Sequence, residues 1–304
     1  MRTLRVGTRG SRLARAQTQE AVQAIETAGV RVEVVVCRTL GDQQPEARLE
    51  AIAGPGVFAR AIEEALLDGR IDVAVHSAKD VGIAPLEGTE LVAYLPRADV
   101  RDVLVSRSGS PLAGLPAGAR VGTSSRRRAA QLRSLRQDVE TPNIRGNVDT
   151  RIEKVQSGDY DATVLAAAGL ARLGRLDVVS EYLPIDRMLP APGQGAVVLQ
   201  ARRGEHETIT WLESLDHRPT ALAVRAERAL LTSLGAGCAL PVAALGHVRA
   251  GEVTVVGAVY GDRAARTITA QRSGPADAPE AVGQALAAAL REQGVHELIG
   301  RSVS

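Results

Sequence analysis

Three segments of the chain place arginines and short polar side chains where a predicted strand turns into a predicted helix. The longest reads Val121-Gly122-Thr123-Ser124-Ser125 and continues into Arg126, Arg127 and Arg128. Hydroxyl side chains cap helices well, but cations in the first turn oppose the helix dipole. Backbone N–H groups, hydroxyls and guanidinium groups at such a turn can together bind an anion. The segment alone is equally consistent with an anion site and with a capped helix that has a solvated basic face.

The same arrangement occurs twice more. One copy contains Arg145, Gly146 and a capping Asn147, with Arg151 one turn later, and the other is Arg9-Gly10-Ser11-Arg12. Three such turns favour a ligand that carries several negative charges. The chain has neither of the glycine-rich motifs that usually bind phosphates, so a polycarboxylate fits at least as well as a phosphate.

A different kind of site is predicted at residues 76–80, His-Ser-Ala-Lys-Asp, which follow the apolar stretch 71–75. The carboxyl end of a buried strand is where α/β sheets usually bind ligands. Asp80 could stabilise a cationic centre there and transfer protons. The alternative is an exposed turn in which Asp80 forms an ion pair. We expect His76 to be structural, because adjacency in sequence does not establish the geometry of a catalytic triad.

The two cysteines lie in contrasting surroundings. Cys37 ends an apolar run and is expected to be a small buried side chain. Cys238 lies in a glycine-rich turn after a predicted helix, where neighbouring cations could lower its pKa and make it a nucleophile. From the turn alone, a structural cysteine is the preferred interpretation. Two cysteines are too few for a disulfide framework, and the spacing of the chain's possible ligands predicts no metal site.

The elements that would position these residues follow from hydrophobic periodicity. Strands are predicted at 4–7, 30–37 and 71–75, with helices at 12–27, capped by Ser11, and at 58–67. Strands at 103–106, 120–122 and 162–165, with helices at 124–135 and 147–156, form a second unit. This alternation is typical of doubly wound α/β domains. Residues 41–56 lack periodicity and are expected to form a lid or binding loop.

The remaining elements complete a three-domain prediction. A strand at 196–200 is expected to return to the first sheet. After it come a helix at 218–234, strands at 242–248, 253–260 and 266–271, and a helix at 279–292. We therefore predict two doubly wound α/β domains, 1–96 with 196–216 and 97–195, and a small C-terminal α+β domain, 217–304.

Composition excludes several classes of protein. Of the 304 residues 45% are hydrophobic and 24% charged, which is typical of globular chains. Aromatic residues make up 2%, too few for the stacking surfaces of single-stranded nucleic-acid binders. The net charge of +2 also argues against a DNA-binding regulator. The N-terminus has no signal pattern, and no apolar stretch is long enough to span a membrane, so we expect a cytoplasmic protein with neither nucleic-acid nor membrane partners.

Taken in order, these segments resemble the porphobilinogen deaminases over nearly the whole chain. The matching pieces are residues 8–11, 76–80, 121–125 with Arg127 and Arg128, 145–147 with Arg151, 165–174, 189–196 and 237–241. Each piece alone is weakly specific. Their number, order and spacing make the resemblance specific.

The resemblance implies a fold and an activity. Two domains would be similar to type-2 periplasmic binding proteins, and Cys238 in the third would hold a dipyrromethane cofactor through a thioether. The enzyme would be a monomeric transferase of haem biosynthesis that needs no metal. It would add four porphobilinogen units to this primer, each losing ammonia, before water releases hydroxymethylbilane.

The resemblance also implies roles for individual residues. Asp80 would be catalytic, stabilising the azafulvenium cation left when ammonia departs and assisting proton transfer. Cofactor carboxylates would be bound by Lys79, Thr123, Ser124, Ser125, Arg127, Arg128, Arg145 and Gly146. The substrate or the growing chain would be bound by Arg9, Ser11, Phe58, Arg151, Arg172 and Gln194.

Three positions depart from the family pattern. Ala51 and Pro55 stand where the family often has lysines, so the resemblance implies no lysine contacts from a lid at these two positions. Arg126 stands where an apolar residue is common and adds charge near the cofactor site. The main rival is a non-catalytic solute-binding protein for a small polycarboxylate. Such a protein usually carries an export signal and has no need of Cys238.

Overall fold

The computed structural model describes residues 3–37, 57–235, 241–261 and 266–299. The chain divides into two compact units. Unit 1 comprises Met1–Ala98 with Ala196–Ala221, and unit 2 comprises Asp99–Gly195 with Leu222–Ser304. Unit 2 contains two separate sheets, and the three-domain division stays a prediction.

Unit 1 is built on a five-stranded mixed sheet. Its strands are β1 (Thr3–Thr8), β2 (Arg31–Val36), β3 (Val73–Ser77), β4 (Thr89–Tyr94) and β9 (Val197–Arg202), in the order β2-β1-β3-β9-β4. Its helices include α1 (Arg12–Thr27), α2 (Val57–Leu67) and α6 (His206–Glu213). β1 pairs in parallel with β2 and β3, whereas β9 runs antiparallel to β3 and β4. The predicted return of a strand after Gly195 is confirmed.

Local sequence signals explain α1. The hydroxyl of Ser11 accepts a hydrogen bond from the backbone N–H of Ala14 at 3.2 Å, which caps the first turn as predicted. After the helix, Gly29 has φ of 84°, a conformation that glycine adopts without steric cost. Ile25 packs against Leu4 and Val6 of β1 in the core of the unit. These contacts place Arg9 and Ser11 beside the end of β1.

The predicted position of β3 was wrong by two residues. The strand covers Val73–Ser77 instead of 71–75, so His76 and Ser77 lie inside the strand rather than beyond it. The cause is Asp72, whose backbone N–H donates to the carbonyl oxygen of Arg5. The carboxylate of Asp72 in turn accepts from the Arg5 backbone and guanidinium. These contacts fix where the pairing with β1 begins.

The first half of unit 2 is a four-stranded sheet with helices that begin at polar turns. Its elements are β5 (Asp102–Ser106), β6 (Val121–Gly122), α3 (Arg126–Leu135), α4 (Val148–Gln156), β7 (Ala162–Ala166), α5 (Ala167–Arg172) and β8 (Glu181–Leu183). The strand order is β6-β7-β5-β8. α3 was predicted to begin at 124, but Ser125 is its N-cap, so the first helical residue is Arg126.

The second half of unit 2 is a three-stranded antiparallel sheet covered by helices. Its elements are α7 (Arg218–Leu234, in unit 2 from Leu222 onward), β10 (Val242–Arg249), β11 (Glu252–Tyr260), β12 (Thr267–Pro275), α8 (Pro279–Glu292) and α9 (Val295–Ile299). Leu230, Val255 and Leu286 meet in its core. The predicted α/β class with a small C-terminal α+β part is confirmed. Across the described ranges, no helix has both the length and the apolar character that crossing a membrane requires.

Candidate active site

In unit 1, three predicted site residues line one small pocket. Arg9 and Ser11 enter it from the loop between β1 and α1, and Asp80 from the turn after β3. The backbone N–H of Asp80 donates to the carbonyl oxygen of Ser77 at 2.9 Å, which closes that turn. The pocket has a volume of about 70 Å³, and His76 forms part of its wall. It therefore combines a guanidinium, a hydroxyl and a carboxylate.

His76 is buried and hydrogen-bonded, as a structural histidine would be. Its Nε2 lies 2.8 Å from Oε1 of Gln200 in β9. Gln200 in turn donates to Oε1 of Glu63 at 2.9 Å. Burial lowers the pKa of His76, and the nearby charges of Glu63 and Asp80 only partly oppose that effect.

In unit 2, a buried carboxylate joins three predicted site residues. Oδ2 of Asp102 accepts from Nη2 of Arg127 at 2.8 Å, and Oδ1 accepts from Nη2 of Arg128 at 2.7 Å. Nε2 of Gln194 donates to the same Oδ1 at 3.0 Å and to the carbonyl oxygen of Val100 at 2.8 Å. Asp102 thus holds two guanidinium groups and one amide in a fixed arrangement.

The electrostatics of this cluster favour an added anion. Burial by itself would raise the pKa of Asp102, but the charges and hydrogen bonds of Arg127 and Arg128 outweigh burial and hold it well below its usual range. One carboxylate between two guanidinium groups leaves one surplus positive charge. Nε of Arg127 is also buried, and it has no hydrogen-bond partner among the described residues. A ligand carboxylate would compensate the surplus charge.

The hydroxyls of residues 123–125, the first polar turn, form hydrogen bonds that shape this turn. Oγ1 of Thr123 accepts from the backbone N–H of Ser125 at 3.2 Å, and Oγ of Ser125 accepts from that of Arg128 at 3.3 Å. The hydroxyl of Ser124 donates to the carbonyl oxygen of Ile144. The predicted capping role of this segment is therefore present.

The second polar turn, residues 145–147, contains Gly146, which has φ of 107°. A Cβ there would lie 2.7 Å from Cβ of Thr150, so both conformation and space require glycine. Nε of Arg151 donates to the carbonyl oxygen of Gly146 at 2.8 Å. Arg145 is partly buried beside this turn. Nη2 of Arg172 donates to the carbonyl oxygen of Gly195, next to Gln194, at 3.2 Å.

Comparison with known proteins decides the family. The model described as "Porphobilinogen deaminase, dipyromethane cofactor binding domain" matches residues 4–210, and "Porphobilinogen deaminase, C-terminal domain" matches residues 221–292. The chain belongs to the porphobilinogen deaminase family.

Relatives in this family align along almost their whole length. The porphobilinogen deaminase of Roseiflexus sp. is 46% identical over 98% of this chain and 98% of its own. That of Geobacter sulfurreducens is 45% identical over 97% of this chain and 93% of its own. Among solved structures, an arginine-specific periplasmic binding protein of Salmonella typhimurium aligns at 10% identity over 73% of this chain and 94% of its own, with a TM-score of 0.41. A likeness this weak carries no argument, so the solute-binding alternative gains no support.

Several predicted deaminase residues fall where the structure gives no side-chain account. Cys238, Ala51 and Pro55 lie outside the described residues, as does the side chain of Phe58. Lys79 is partly exposed in the turn before Asp80, and Arg126 is exposed at the start of α3.

Cys37 is buried as predicted, and burial raises the pKa of its thiol. In the described part of the chain, no group of three or more His, Cys, Asp or Glu side chains could hold a metal ion.

Sequence reasoning missed the buried polar groups that support the deaminase site. Asp102 is the first, and Glu227 in α7 is the second: its carboxylate accepts from the backbone N–H groups of Gly193 (2.6 Å) and Gly246 (2.7 Å). Gln131 is the third. It exchanges hydrogen bonds with the backbone of Leu189 and accepts one from Tyr260. These contacts hold the segment before Gln194 against the C-terminal sheet. A charged residue inside an otherwise apolar helical stripe was the available signal for Glu227.

Proposed function

We propose that this protein is a hydroxymethylbilane synthase that polymerises porphobilinogen, in tetrapyrrole biosynthesis, on a dipyrromethane primer attached to Cys238. It would act as a monomer in the cytoplasm. Four substrate units would be joined, each with loss of ammonia, and hydrolysis would release the linear product. The main structural support for this function is the pocket that Asp80, Arg9 and Ser11 line together.

The positive charges at the helix starts support a substrate with several carboxylates. Each porphobilinogen unit carries an acetate and a propionate side chain, so a growing chain gains two negative charges per unit. Guanidinium groups bind carboxylates in a well-defined geometry. The substrate or growing chain would contact Arg9, Ser11, Phe58, Arg151, Arg172 and Gln194.

The surplus charge around Asp102 supports placing the primer's carboxylates in unit 2. The residues of unit 2 that would bind them are Thr123, Ser124, Ser125, Arg127, Arg128, Arg145 and Gly146, and the family resemblance adds Lys79 of unit 1. Arg127 and Arg128 share a single buried counter-charge, Asp102, so a carboxylate of the primer would balance the second guanidinium charge. Once bound, dipyrromethane supplies the pyrrole carbon to which the first substrate unit is joined.

Asp80 is the residue we assign to the reaction itself. Departure of ammonia leaves a positive charge on the substrate, and a carboxylate close to that charge lowers the barrier. Asp80 is exposed at the pocket while its backbone is held in a closed turn. It can therefore approach a substrate with little rearrangement of the chain.

Intact mass of the purified protein tests this proposal. We expect an excess equal to two linked pyrroles in the wild type and in Cys37→Ser, but none in Cys238→Ser. The Cys37 variant is the matched control, because that thiol is buried and burial raises its pKa, which disfavours the reactive thiolate. Brief incubation with porphobilinogen should add further mass steps of one pyrrole each.

A protein purified without the excess must first be reconstituted by incubation with porphobilinogen. If Cys238 still gains no mass, the proposed activity is wrong. If the excess appears but follows Cys37, the activity stands and the attachment site is wrong.

A further inference from the structure

Behind the unit 1 pocket, Gln200 is fully buried and its side-chain amide has a fixed orientation. Its Nε2 donates to Oε1 of Glu63 at 2.9 Å and to Oγ1 of Thr89 at 2.7 Å. The Thr89 hydroxyl donates its own proton to the carbonyl oxygen of Leu86, so its oxygen is the acceptor for Gln200. Oε1 of Gln200 is therefore the amide atom that faces Nε2 of His76.

This orientation determines the tautomer of His76. An amide oxygen only accepts hydrogen bonds, so Nε2 must carry the ring proton, and a neutral ring then has its lone pair on Nδ1. Nε2 is directed at buried Gln200. Nδ1 is consequently the one ring nitrogen that can make a hydrogen bond in the pocket.

The surroundings keep the ring neutral. Burial lowers the pKa of His76, and the charge of Arg9 lowers it further. The charge of Glu63, the hydrogen bond to Gln200 and the charge of Asp80 oppose this lowering only in part. Glu63 acts from α2, Asp80 from the turn after β3 and Arg9 from the loop after β1. The balance favours the uncharged imidazole at pH 7, which is an acceptor at Nδ1.

We propose that Nδ1 of His76, together with the carboxylate of Asp80, binds the aminomethyl ammonium group of porphobilinogen. The inference rests on the proposed function, which places this substrate in the pocket. The pocket pairs two acceptors, His76 and Asp80, with two donors, Arg9 and Ser11, which suit the ammonium and the carboxylates of one substrate.

A weakly basic acceptor suits a leaving group that must stay protonated. When the carbon–nitrogen bond breaks, its electron pair goes to nitrogen, ammonia leaves, and the positive charge of the ammonium remains on the pyrrole. A histidine that removed the ammonium proton would produce an amine, which is a much poorer leaving group. Neutral His76 holds the ammonium through a hydrogen bond and leaves its proton in place, whereas a protonated ring would repel it.

Two substitutions separate the pocket contact from the contact with Gln200. In His76→Asn the amide lies near the position of Nδ1, and in His76→Gln it lies near the position of Nε2. We expect H76Q to lower kcat/KM for porphobilinogen about 10- to 100-fold, as for a lost hydrogen bond to a charged group, and H76N to lower it about 3-fold or less. Equal losses, or a larger loss in H76N, would assign His76 to the buried network alone and overturn the inference.

Nitrogen NMR of the holoenzyme labelled with ¹⁵N-histidine makes the measurement on the wild type and uses H76N only to assign the signal. The chain has five histidines, and the signal missing from H76N identifies His76. We expect a neutral ring protonated at Nε2 at pH 7, and a shift of its Nδ1 signal with ammonium chloride but not with tetramethylammonium chloride. A ring protonated at Nδ1, or an Nδ1 signal that does not shift with ammonium chloride, would contradict the inference.

These measurements also separate this inference from the proposed function. A reconstituted wild-type enzyme that does not consume porphobilinogen refutes the function, and with it the binding of the substrate's ammonium group by His76 and Asp80. A wild-type enzyme that turns over normally, with H76Q as active as H76N, refutes the role of His76 alone.

Discussion

At the scale of single residues, the unit 2 site is organised by one carboxylate. Asp102 is fully buried and accepts hydrogen bonds from Arg127, Arg128 and Gln194. It fixes the position of both guanidinium groups while leaving their combined charge positive. Removing one member of a buried ionic group is strongly destabilising, since the remaining charges lose their partner. Asp102 therefore supports the stability of unit 2 and the predicted cofactor site together.

We predict that Asp102→Asn lowers the free energy of unfolding by about 3–5 kcal/mol, because two buried guanidinium groups lose their counter-charge. Urea unfolding of the wild type and the variant measures the difference. Asp99→Asn is the matched control, since Asp99 pairs with Arg101 at 2.6 Å near the surface. Surface pairs contribute about 1 kcal/mol or less, so the control should remain close to wild type. Equal effects of the two substitutions would contradict the central role of Asp102.

Residue types predicted the arginines of the site but not the group that holds them. Arg127 and Arg128 stood out because cations at a helix start oppose the dipole. Asp102 did not stand out, because it follows the charged residues Asp99 and Arg101 and its partners lie 25 and 26 positions away. Side chains that meet only through the fold leave no local pattern in the sequence.

At the scale of elements, the helix that leads to Cys238 depends on a close contact with α8. Gly283 of α8 lies against the backbone of α7, and a Cβ at this position would collide with the carbonyl oxygen of Ala226 and lie 2.8 Å from Cβ of Ala229. Leu230 and Leu286 pack in the same core. The absence of a side chain at Gly283 thus allows the two helices to approach.

We predict that Gly283→Ala destabilises the protein by about 1–3 kcal/mol, because overpacking outweighs the helix propensity gained by alanine. Gln284→Ala, at the next and exposed position of the same helix, should change stability by less than about 0.5 kcal/mol. Urea unfolding curves of both variants give the comparison. A G283A protein as stable as the Q284A protein would show that α7 and α8 do not pack this closely.

α1, whose start and stop signals are both local, was predicted accurately, and elements defined by distant partners were not. α1 begins after Ser11 and ends before Gly29 as predicted, because both signals are local. β4 and α6 were missed. β3 was misplaced because its start depends on Asp72 and Arg5, which are 67 residues apart. Pairing across such a separation is set by tertiary contacts.

At the scale of the whole molecule, the two units carry different buried titratable groups. In unit 1 the pKa of His76 is lower in the folded state than in the unfolded state. On acidification the unfolded state therefore binds a proton before the folded state does. As a result the free energy of unfolding falls as the pH drops below about 6.5. In unit 2 the lowered pKa of Asp102 gives stability that persists until the pH falls below about 3.9. Between these values, His76 makes unit 1 the acid-sensitive part.

We therefore predict that lowering the pH from 7.5 to 5 weakens unit 1 and leaves unit 2 nearly unchanged. Trp211, the only tryptophan of the chain, lies in α6 of unit 1, so its fluorescence reports that unit during urea unfolding. Hydrogen exchange in β5 and β7 reports unit 2 over the same range. In His76→Asn the Trp211 midpoint should become nearly independent of pH, because the titrating ring is gone. If wild type and variant shift equally, His76 does not cause the acid sensitivity, and the neutral ring proposed to bind the substrate's ammonium group loses its support.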